Sequence, residues 1–218
     1  MPKPSGLYPI IDIDALDRAR LAALDFARAV LAARPAIIQL RAKHLSARET
    51  LGLLRALRPL ARGAQSKLFA NDRPDLAKLA GCDGVHLGQG DLPCEEVRRW
   101  FPELEVGVST HSLEQLRSAL RWEPDYVAYG PVFDTGNKEN PEASVGLASL
   151  SQARTLVAGA RPLVAIGGID RGRLAQVRAQ ADLVAVIGAL VTDAPNPAAC
   201  RERALELKAA LEAEPHRA

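Results

Sequence analysis

The sequence lacks several features that would point to a membrane or a nucleic acid. Its apolar runs all fall short of the roughly 20 residues that a membrane-spanning helix needs, and its start, MPKPSG, lacks the apolar stretch of a secretory signal peptide. It also has little excess charge, because 28 Lys and Arg face 26 Asp and Glu, a formal net charge of +2. We therefore expect neither a membrane nor a nucleic acid as a partner.

Cysteine and aromatic residues are also scarce. The three cysteines, Cys82, Cys94 and Cys200, have no metal-ligand spacing, and their odd number leaves a thiol outside any disulfide scheme. A reducing compartment suits such a chain, so we expect a cytoplasmic protein. Aromatic residues make up 4% of the sequence and are scattered, which gives no support to a platform for stacking bases.

What the sequence has instead is a regular alternation of short apolar runs and amphipathic segments. Eight runs rich in Val, Ile and Leu predict strands, and segments with helical spacing lie between them. Apolar strands that alternate with helices are typical of a parallel sheet covered by helices, and eight units favour an α/β fold closed as a (β/α)8 TIM barrel. The predicted strands are 7–13, 36–40, 67–70, 84–87, 105–108, 126–129, 163–166 and 183–187.

One domain is expected to cover all 218 residues, since a single barrel typically takes about 200 to 250. We predict the barrel over about 7–211, with a closing Ala-rich helix near its end, and a frayed tail over 212–218. The connection at 131–145, after the sixth strand, is much longer than the others. Loops of that length are usually functional or mobile, so we predict a lid there.

Most of the predicted strands end in a polar or glycine cluster. In a barrel of parallel strands every C-terminal strand end lies on the same rim, so clusters far apart in sequence meet in space. The sequence therefore predicts one site assembled from many loops. The clusters are Gln39-Leu40-Arg41-Ala42-Lys43, Asn71-Asp72, Gly88-Gln89-Gly90-Asp91, Ser109-Thr110-His111, Thr135-Gly136-Asn137-Lys138, Gly167-Gly168 and Ile187-Gly188.

Two basic residues follow the second predicted strand. The two-residue period of a strand sends Gln39, Arg41 and Lys43 to the inside of the barrel and the residues between them to the helix-covered outside. Two inward cations need an anionic partner, because an unpaired buried charge costs several kcal/mol. A phosphate or diphosphate would supply it. The alternative is that both cations pair with rim carboxylates such as Asp72 and Asp91.

Asp72 and Asp91 follow neighbouring strands, so their carboxylates can converge. Two acids beside two bases indicate a hard cation, and Mg²⁺ typically takes one or two carboxylates and completes its shell with phosphates and water. For Asp72 alone, the commoner role would be the N-cap of a helix that begins near Pro74. Only the combination with Asp91 favours a Mg²⁺ site.

Glycines mark the ends of the last two strands. Gly167-Gly168 and Ile187-Gly188 lie where barrels often hold a phosphate on backbone N–H groups and a helix N-terminus. The alternative is that these glycines only close tight turns. Among the histidines, His86 lies inside a strand and is expected to be a satisfied interior residue, while His111 lies nearer the rim.

Taken in order, segments 39–43, 71–73, 83–91, 107–111, 130–133 and 165–169 resemble the thiamine-phosphate synthase family. The resemblance extends over about 7–189, and its most specific piece is DGVHLGQGD at 83–91. It implies a transferase that joins a hydroxymethylpyrimidine diphosphate to a thiazole phosphate, giving thiamine phosphate and diphosphate in thiamine biosynthesis. It also implies a dissociative, Mg²⁺-assisted reaction in which diphosphate leaves first and the thiazole nitrogen captures the pyrimidine cation.

Carried over residue by residue, the resemblance divides the site into a diphosphate half and a phosphate half. Asp72 and Asp91 are the implied Mg²⁺ ligands. The residues implied to hold the pyrimidine diphosphate or contact its leaving group are Gln39, Leu40, Arg41, Ala42, Lys43, Asn71, Ser109 and Lys138. Those implied to be catalytic are Arg41, Lys43, Ser109 and Lys138. Those implied to bind the thiazole phosphate are Thr135, Gly136, Asn137, Gly168, Ile187 and Gly188.

Two departures from the family pattern fall in the phosphate half. The lid usually reads Thr-x-Thr-Lys, where this chain has TGNK at 135–138, and Gly188 stands where a serine is common. A related branch, the thiazole tautomerases, isomerises a thiazole carboxylate phosphate without the metal acids, and there His111 would carry the proton. A third possibility is a phosphate-binding barrel without catalysis. Retention of Asp72 and Asp91 favours the synthase.

Overall fold

A computed structural model describes residues 3–134, 143–191 and 195–213. Its eight strands are all parallel and close into a barrel in sequence order, as the alternating pattern predicted. The strands are β1 (Gly6–Asp12), β2 (Ile37–Arg41), β3 (Lys67–Asn71), β4 (Gly84–Leu87), β5 (Glu105–Thr110), β6 (Tyr126–Tyr129), β7 (Leu163–Ile166) and β8 (Leu183–Val186). Three of them, β4, β6 and β7, coincide with the predicted runs, and the other five differ by one or two residues at an end.

Helices cover the outside of the barrel. They are α1 (Ile13–Arg18), α2 (Ala23–Leu31), α3 (Ala47–Gly63), α4 (Pro74–Ala80), α5 (Cys94–Trp100), α6 (Leu113–Leu120), α7 (Gly146–Val157), α8 (Leu174–Val177), a 3₁₀ turn (Gly188–Leu190) and α9 (Pro197–Glu212). The single periodic segment between β1 and β2 is two helices, because Arg20 adopts a left-handed φ of 54° just after α1.

Serine side chains cap the starts of two of these helices. Ser46 forms a reciprocal capping box with Glu49 at the start of α3, and the Ser112 hydroxyl accepts from the backbone N–H of Gln115 at the start of α6. The alternative that Asp72 caps α4 is wrong, because the N-cap position is Arg73 and no side chain caps that helix. The Asp72 carboxylate is therefore available for other partners.

The core has two layers, and the strand alternation sorts side chains between them. One layer lies between strands and helices, and it contains Leu40 with Ala42 packed against it. The other fills the barrel interior and includes three aromatic rings, those of Tyr8, Phe69 and Tyr126. The interior is therefore a packed core rather than a pore, as is usual for such barrels.

The cysteines and the lengths of the helices relate to two expectations drawn from the composition. Cys82, Cys94 and Cys200 are all buried and unpaired, and burial raises the pKa of the Cys82 thiol to about 12. Across the described ranges, no helix combines the length and apolar character needed to cross a bilayer.

Close packing of the barrel interior yields a stability prediction for Gly84 at the start of β4. A Cβ there would lie 2.4 Å from Cε1 of Phe69 and 2.5 Å from the carbonyl oxygen of Glu105. We expect Gly84→Ala to lower the free energy of unfolding by about 1–3 kcal/mol, because the backbone oxygen cannot yield without shifting a strand.

Equilibrium urea unfolding followed by circular dichroism measures this change. The matched control is Gly52→Ala in α3, where a Cβ meets nothing within 4 Å. That change is expected to stabilise the protein by about 0.5–1 kcal/mol, since alanine favours helix over glycine. Equal effects of the two substitutions would contradict the packing account.

Candidate active site

The rim at the C-terminal ends of β2 to β5 gathers basic, acidic and amide side chains. Arg41 is the last residue of β2, Asn71 the last of β3, and Ser109 lies one residue before the end of β5. These strands are consecutive neighbours in the barrel, so their ends stand side by side. Closure of the barrel thus brings these polar clusters together on one rim, as the sequence predicted.

Arg41 finds its partners on β1 and α1 rather than on the rim carboxylates considered from the sequence. Its Nη1 lies 2.6 Å from Oδ2 of Asp12 and 3.5 Å from Oδ2 of Asp14. Asp12 is buried, and its other oxygen accepts the N–H of Ala15 at 2.9 Å, which caps α1. Arg41 is therefore paired within the chain and held rigidly. Sequence reasoning missed both acids, although Asp12 is the last residue of β1 and Asp14 lies at the start of α1, on the same rim.

Lys43 pairs with one of the two acids expected from the sequence. Its Nζ lies 2.9 Å from Oδ2 of Asp72, and its side chain is 45% exposed. The alternative of pairing with rim carboxylates thus holds for Lys43. An exposed lysine pair is weak, so this ammonium can exchange partners at little cost.

The carboxyl group of Asp91 lies close enough to that of Asp72 to affect the pKa of Asp72. Burial raises the pKa of Asp72, the neighbouring Asp91 raises it further, and Lys43 only partly opposes both effects. Asp91 itself is fixed by the backbone N–H of Gly88, which donates to its Oδ2 at 2.7 Å. In the described parts of the chain, no cluster of three or more His, Cys, Asp or Glu forms a metal site. The pair therefore offers two carboxylates, a number that suits Mg²⁺.

Two amide side chains stand next to the acids. Gln39 is buried, and its Nε2 donates to Oδ1 of Asn71 at 2.6 Å. Its Oε1 accepts the hydroxyl of Tyr8 at 2.8 Å. Both amides are consequently fixed in orientation before any ligand arrives.

Ser109 and His86 form the far side of this group. Nε2 of His86 lies 2.7 Å from the Ser109 hydroxyl, and Nδ1 lies 2.8 Å from the hydroxyl of Tyr126. His86 is thus a buried residue with both ring nitrogens engaged, as its place inside β4 predicted. Ser109 is not an unengaged turn hydroxyl, because its oxygen is already bonded to the imidazole.

His111 is held by the backbone next to it. Its Nδ1 donates to the carbonyl oxygen of Gly130 at 2.5 Å, and its own N–H donates to Oε1 of Gln115 at 2.7 Å. The ring therefore ties the end of β5 to the end of β6, a role that needs no substrate.

The glycines after β7 make room for the loop that follows β6. Gly167 and Gly168 have φ values of 100° and 62°, and a Cβ at Gly168 would lie 2.5 Å from the Asp134 carbonyl oxygen. The turn-closing alternative therefore applies to both. Sequence reasoning missed Arg173, whose Nη1 donates to the Gly168 carbonyl at 2.7 Å and whose guanidinium lies 4.8 Å from the Phe133 ring centroid.

The structure describes only some of the remaining predicted site residues, which are those of the lid and of the end of β8. Thr135, Gly136, Asn137 and Lys138 lie outside the described residues. The two ends of their segment lie together, because Val145 N–H donates to the Pro131 carbonyl at 2.8 Å. Ile187 precedes the 3₁₀ turn that begins at Gly188 on the neighbouring strand end.

Comparison with known proteins gives consistent matches over most of the chain. A family model described as thiamine monophosphate synthase matches residues 7–190. A thiamine-phosphate synthase of Thermus thermophilus is 47% identical over 177 residues, 81% of this chain and 84% of that relative. One of Koribacter versatilis is 45% identical over 191 residues, 86% and 89% of the two chains. The solved thiamine phosphate pyrophosphorylase of Pyrococcus furiosus superposes with a TM-score of 0.83 at 31% identity, covering 95% of each chain.

The pairing of the two acids predicts a measurable change in titration. Asp91→Asn is expected to lower the pKa of Asp72 in Mg²⁺-free protein, because it removes a nearby negative charge while burial remains. Since the folded-state pKa is raised, ionised Asp72 opposes folding. The protonated carboxyl group of Asp72 stabilises the fold. This stabilisation is fully present below the pKa of Asp72 in the unfolded chain, and it is lost as the pH rises through the pKa in the folded protein.

Carboxyl ¹³C NMR titration, with Asp72→Asn to assign the resonance, measures this pKa. The matched control is Asp75→Asn, which removes a surface carboxylate paired with Arg73 and should leave the Asp72 titration where it was. An identical Asp72 titration curve in Asp91→Asn would show that the two acids do not interact.

Proposed function

The chain belongs to the thiamine monophosphate synthase family. We propose that its barrel rim catalyses the formation of thiamine phosphate from a pyrimidine diphosphate and a thiazole phosphate. The enzyme is a transferase that condenses 4-amino-2-methyl-5-hydroxymethylpyrimidine diphosphate with 4-methyl-5-hydroxyethylthiazole phosphate. The products are thiamine phosphate and diphosphate. Its substrates are thus phosphorylated small molecules, and we assign its active site to the rim described above.

The observation that best supports this proposal is the convergence of Asp72 and Asp91 beside Lys43. Burial and mutual repulsion already raise the pKa of Asp72, which is the strain that a divalent cation between the two carboxylates would relieve. We assign Mg²⁺ to Asp72 and Asp91. When bound, Mg²⁺ supplies positive charge to the oxygens of the leaving diphosphate.

The two basic residues have different parts in the diphosphate half. Lys43 forms only a partly exposed ion pair with Asp72, so its ammonium can leave that carboxylate and neutralise diphosphate charge. Arg41 stays paired with Asp12 and Asp14 through Nη1, and it offers its remaining N–H donors to a phosphate oxygen. Fixed donors of this kind stabilise charge that develops on a leaving group, typically the largest contribution to such catalysis.

Amide and hydroxyl groups complete the diphosphate half. Gln39 and Asn71 are fixed to each other at 2.6 Å, so they orient the pyrimidine diphosphate with little loss of side-chain freedom. Ser109 stands at the side of the leaving group. Leu40 and Ala42 contribute only backbone groups, because their side chains pack outward into the core.

In the phosphate half, the backbone at Gly168, Ile187 and Gly188 holds the thiazole phosphate. By the family pattern we assign Thr135, Gly136 and Asn137 to the thiazole phosphate and Lys138 to the leaving diphosphate. Arg173, bonded to the Gly168 carbonyl, adds positive charge at the same place. The reaction is dissociative and requires no general base, since the attacking thiazole nitrogen has no proton to lose.

The central test supplies both substrates and Mg²⁺ and measures thiamine phosphate and diphosphate together. We expect equal amounts of the two products and loss of turnover when Mg²⁺ is chelated. Folded protein that binds both substrates and makes no product would contradict the proposal, and would leave the phosphate-binding barrel as the better account.

Asp91→Asn tests the metal assignment separately. Removing one of two charged ligands is expected to lower turnover at least about 100-fold and to raise the Mg²⁺ concentration needed for half-maximal rate, while the unfolding midpoint changes little. Asp75→Asn serves as the matched control and should behave like the wild type. A wild-type Mg²⁺ dependence in Asp91→Asn would remove Asp91 from the site.

His111→Ala separates the synthase from the tautomerase alternative. Because Nδ1 of His111 is bonded to the Gly130 carbonyl, its loss should loosen the loop and lower coupling by no more than about tenfold. A thiazole tautomerase that uses His111 as its proton carrier would lose isomerisation entirely. Loss of coupling with isomerisation retained would reverse this ranking of the two activities.

A further inference from the structure

A chain of hydrogen bonds crosses the barrel interior beneath the rim. It links side chains of six strands and joins the amides next to Asp72 to the hydroxyl of Ser109. The bonds run from Asn71 to Gln39 (2.6 Å), Gln39 to Tyr8 (2.8 Å), Tyr8 to Tyr126 (2.7 Å), Tyr126 to His86 (2.8 Å) and His86 to Ser109 (2.7 Å).

The first half of the chain has a defined direction. Burial raises the pKa of the Tyr8 and Tyr126 phenols, so each hydroxyl carries one proton at neutral pH. The Tyr8 hydroxyl donates to Oε1 of Gln39, which is only an acceptor. Tyr8 has no second proton to give, so the 2.7 Å contact between the phenols is a donation from Tyr126 to Tyr8.

The second half follows from the first. The single proton of Tyr126 is used on Tyr8, so only lone pairs remain for Nδ1 of His86, and that nitrogen must carry the imidazole proton. A neutral imidazole has one N–H, which leaves Nε2 as an acceptor. In a protein with a neutral His86 ring, the Ser109 hydroxyl donates inward to Nε2, and its lone pairs are left for the rim.

We propose that Tyr126 is a positioning residue of the enzyme, which sets the His86 tautomer and through it the donor and acceptor roles of the site. In the free enzyme Ser109 is an acceptor toward the rim. At the other end, Oδ1 of Asn71 is used by Gln39, so Asn71 presents its amide hydrogens as donors. The kinetic part of this inference rests on the proposed function. The His86 tautomer does not, because it can be measured in the protein without substrates.

The packing around Tyr126 holds its phenol ring in one defined position. A Cβ on Gly107 would lie 2.4 Å from the Tyr126 hydroxyl and 2.0 Å from its Cζ, so the strand leaves space for this phenol. The ring stacks on His86 at 5.7 Å and 14°, and it meets Tyr8 edge-on at 5.8 Å and 88°. These contacts hold the hydroxyl between its two partners.

The test combines histidine ¹⁵N NMR with steady-state kinetics on the full-length enzyme. In the wild type without substrates, we expect the His86 resonances of a neutral ring protonated at Nδ1. Tyr126→Phe keeps the ring and removes the acceptor for that proton. We expect the tautomer to shift toward Nε2–H, and kcat to fall by about tenfold with both KM values within about twofold.

The matched control is Tyr129→Phe on the same strand. The Tyr129 hydroxyl bonds to Ser149 at 2.5 Å in the outer layer of the core, away from the chain of hydrogen bonds. Its removal costs a comparable bond and should change neither the His86 tautomer nor kcat. A purely structural role for Tyr126 would instead give the two variants similar kinetics.

Two results would overturn the inference. One is a wild-type His86 ring protonated at Nε2, which needs no variant and stands even if Tyr126→Phe does not fold. The other is a Tyr126→Phe enzyme with the wild-type tautomer and turnover. Absence of coupling by the wild type would reject the proposed function and with it the kinetic role of Tyr126, whereas the NMR result would still decide the direction of the chain.

Discussion

The pairing of β1 with β8 closes the sheet, and the contacts that cross the barrel beneath the candidate site depend on that closure. Parallel strands in a closed ring place all their C-terminal ends on one rim, and the two-residue alternation of each strand divides its side chains between interior and outer layer. Gln39 and Leu40 show the division, because one enters the interior and the other packs under the helices. The same constraint that builds the core therefore delivers the polar residues.

Closure also explains how polar groups are tolerated inside the barrel. Tyr8, Tyr126 and Gln39 are nearly inaccessible to water, and burying an unpartnered polar group costs several kcal/mol. Each bonds to a residue from another strand, so contacts between strands offset this cost, and the bond between Tyr8 and Tyr126 spans the interior of the closed barrel. The interior thereby provides a rigid support for the amides and the hydroxyl at the rim.

Acidic and basic side chains are unevenly distributed on the rim. Arg41 is paired with both Asp12 and Asp14, whereas the partly exposed Lys43 is paired with Asp72, whose carboxyl group lies close to that of Asp91. The acidic side chains named here outnumber the basic ones, and a cation bound next to a diphosphate would offset this excess of negative charge. In the half proposed to bind the thiazole phosphate, Arg173 lies next to the glycine turn after β7, where its Nη1 donates to the Gly168 carbonyl.

The sequence by itself determined the barrel, most strand bounds and the gathering of the rim clusters, because apolar periodicity and strand-end chemistry are local signals. It also pointed to the family through the segment at 83–91. Only the tertiary structure decided that Asp72 faces Asp91 instead of capping α4 and that Arg41 pairs with Asp12. It likewise joined Tyr8 to Tyr126, 118 residues apart. Such contacts depend on how closed strands align in space, which no local pattern of residues records.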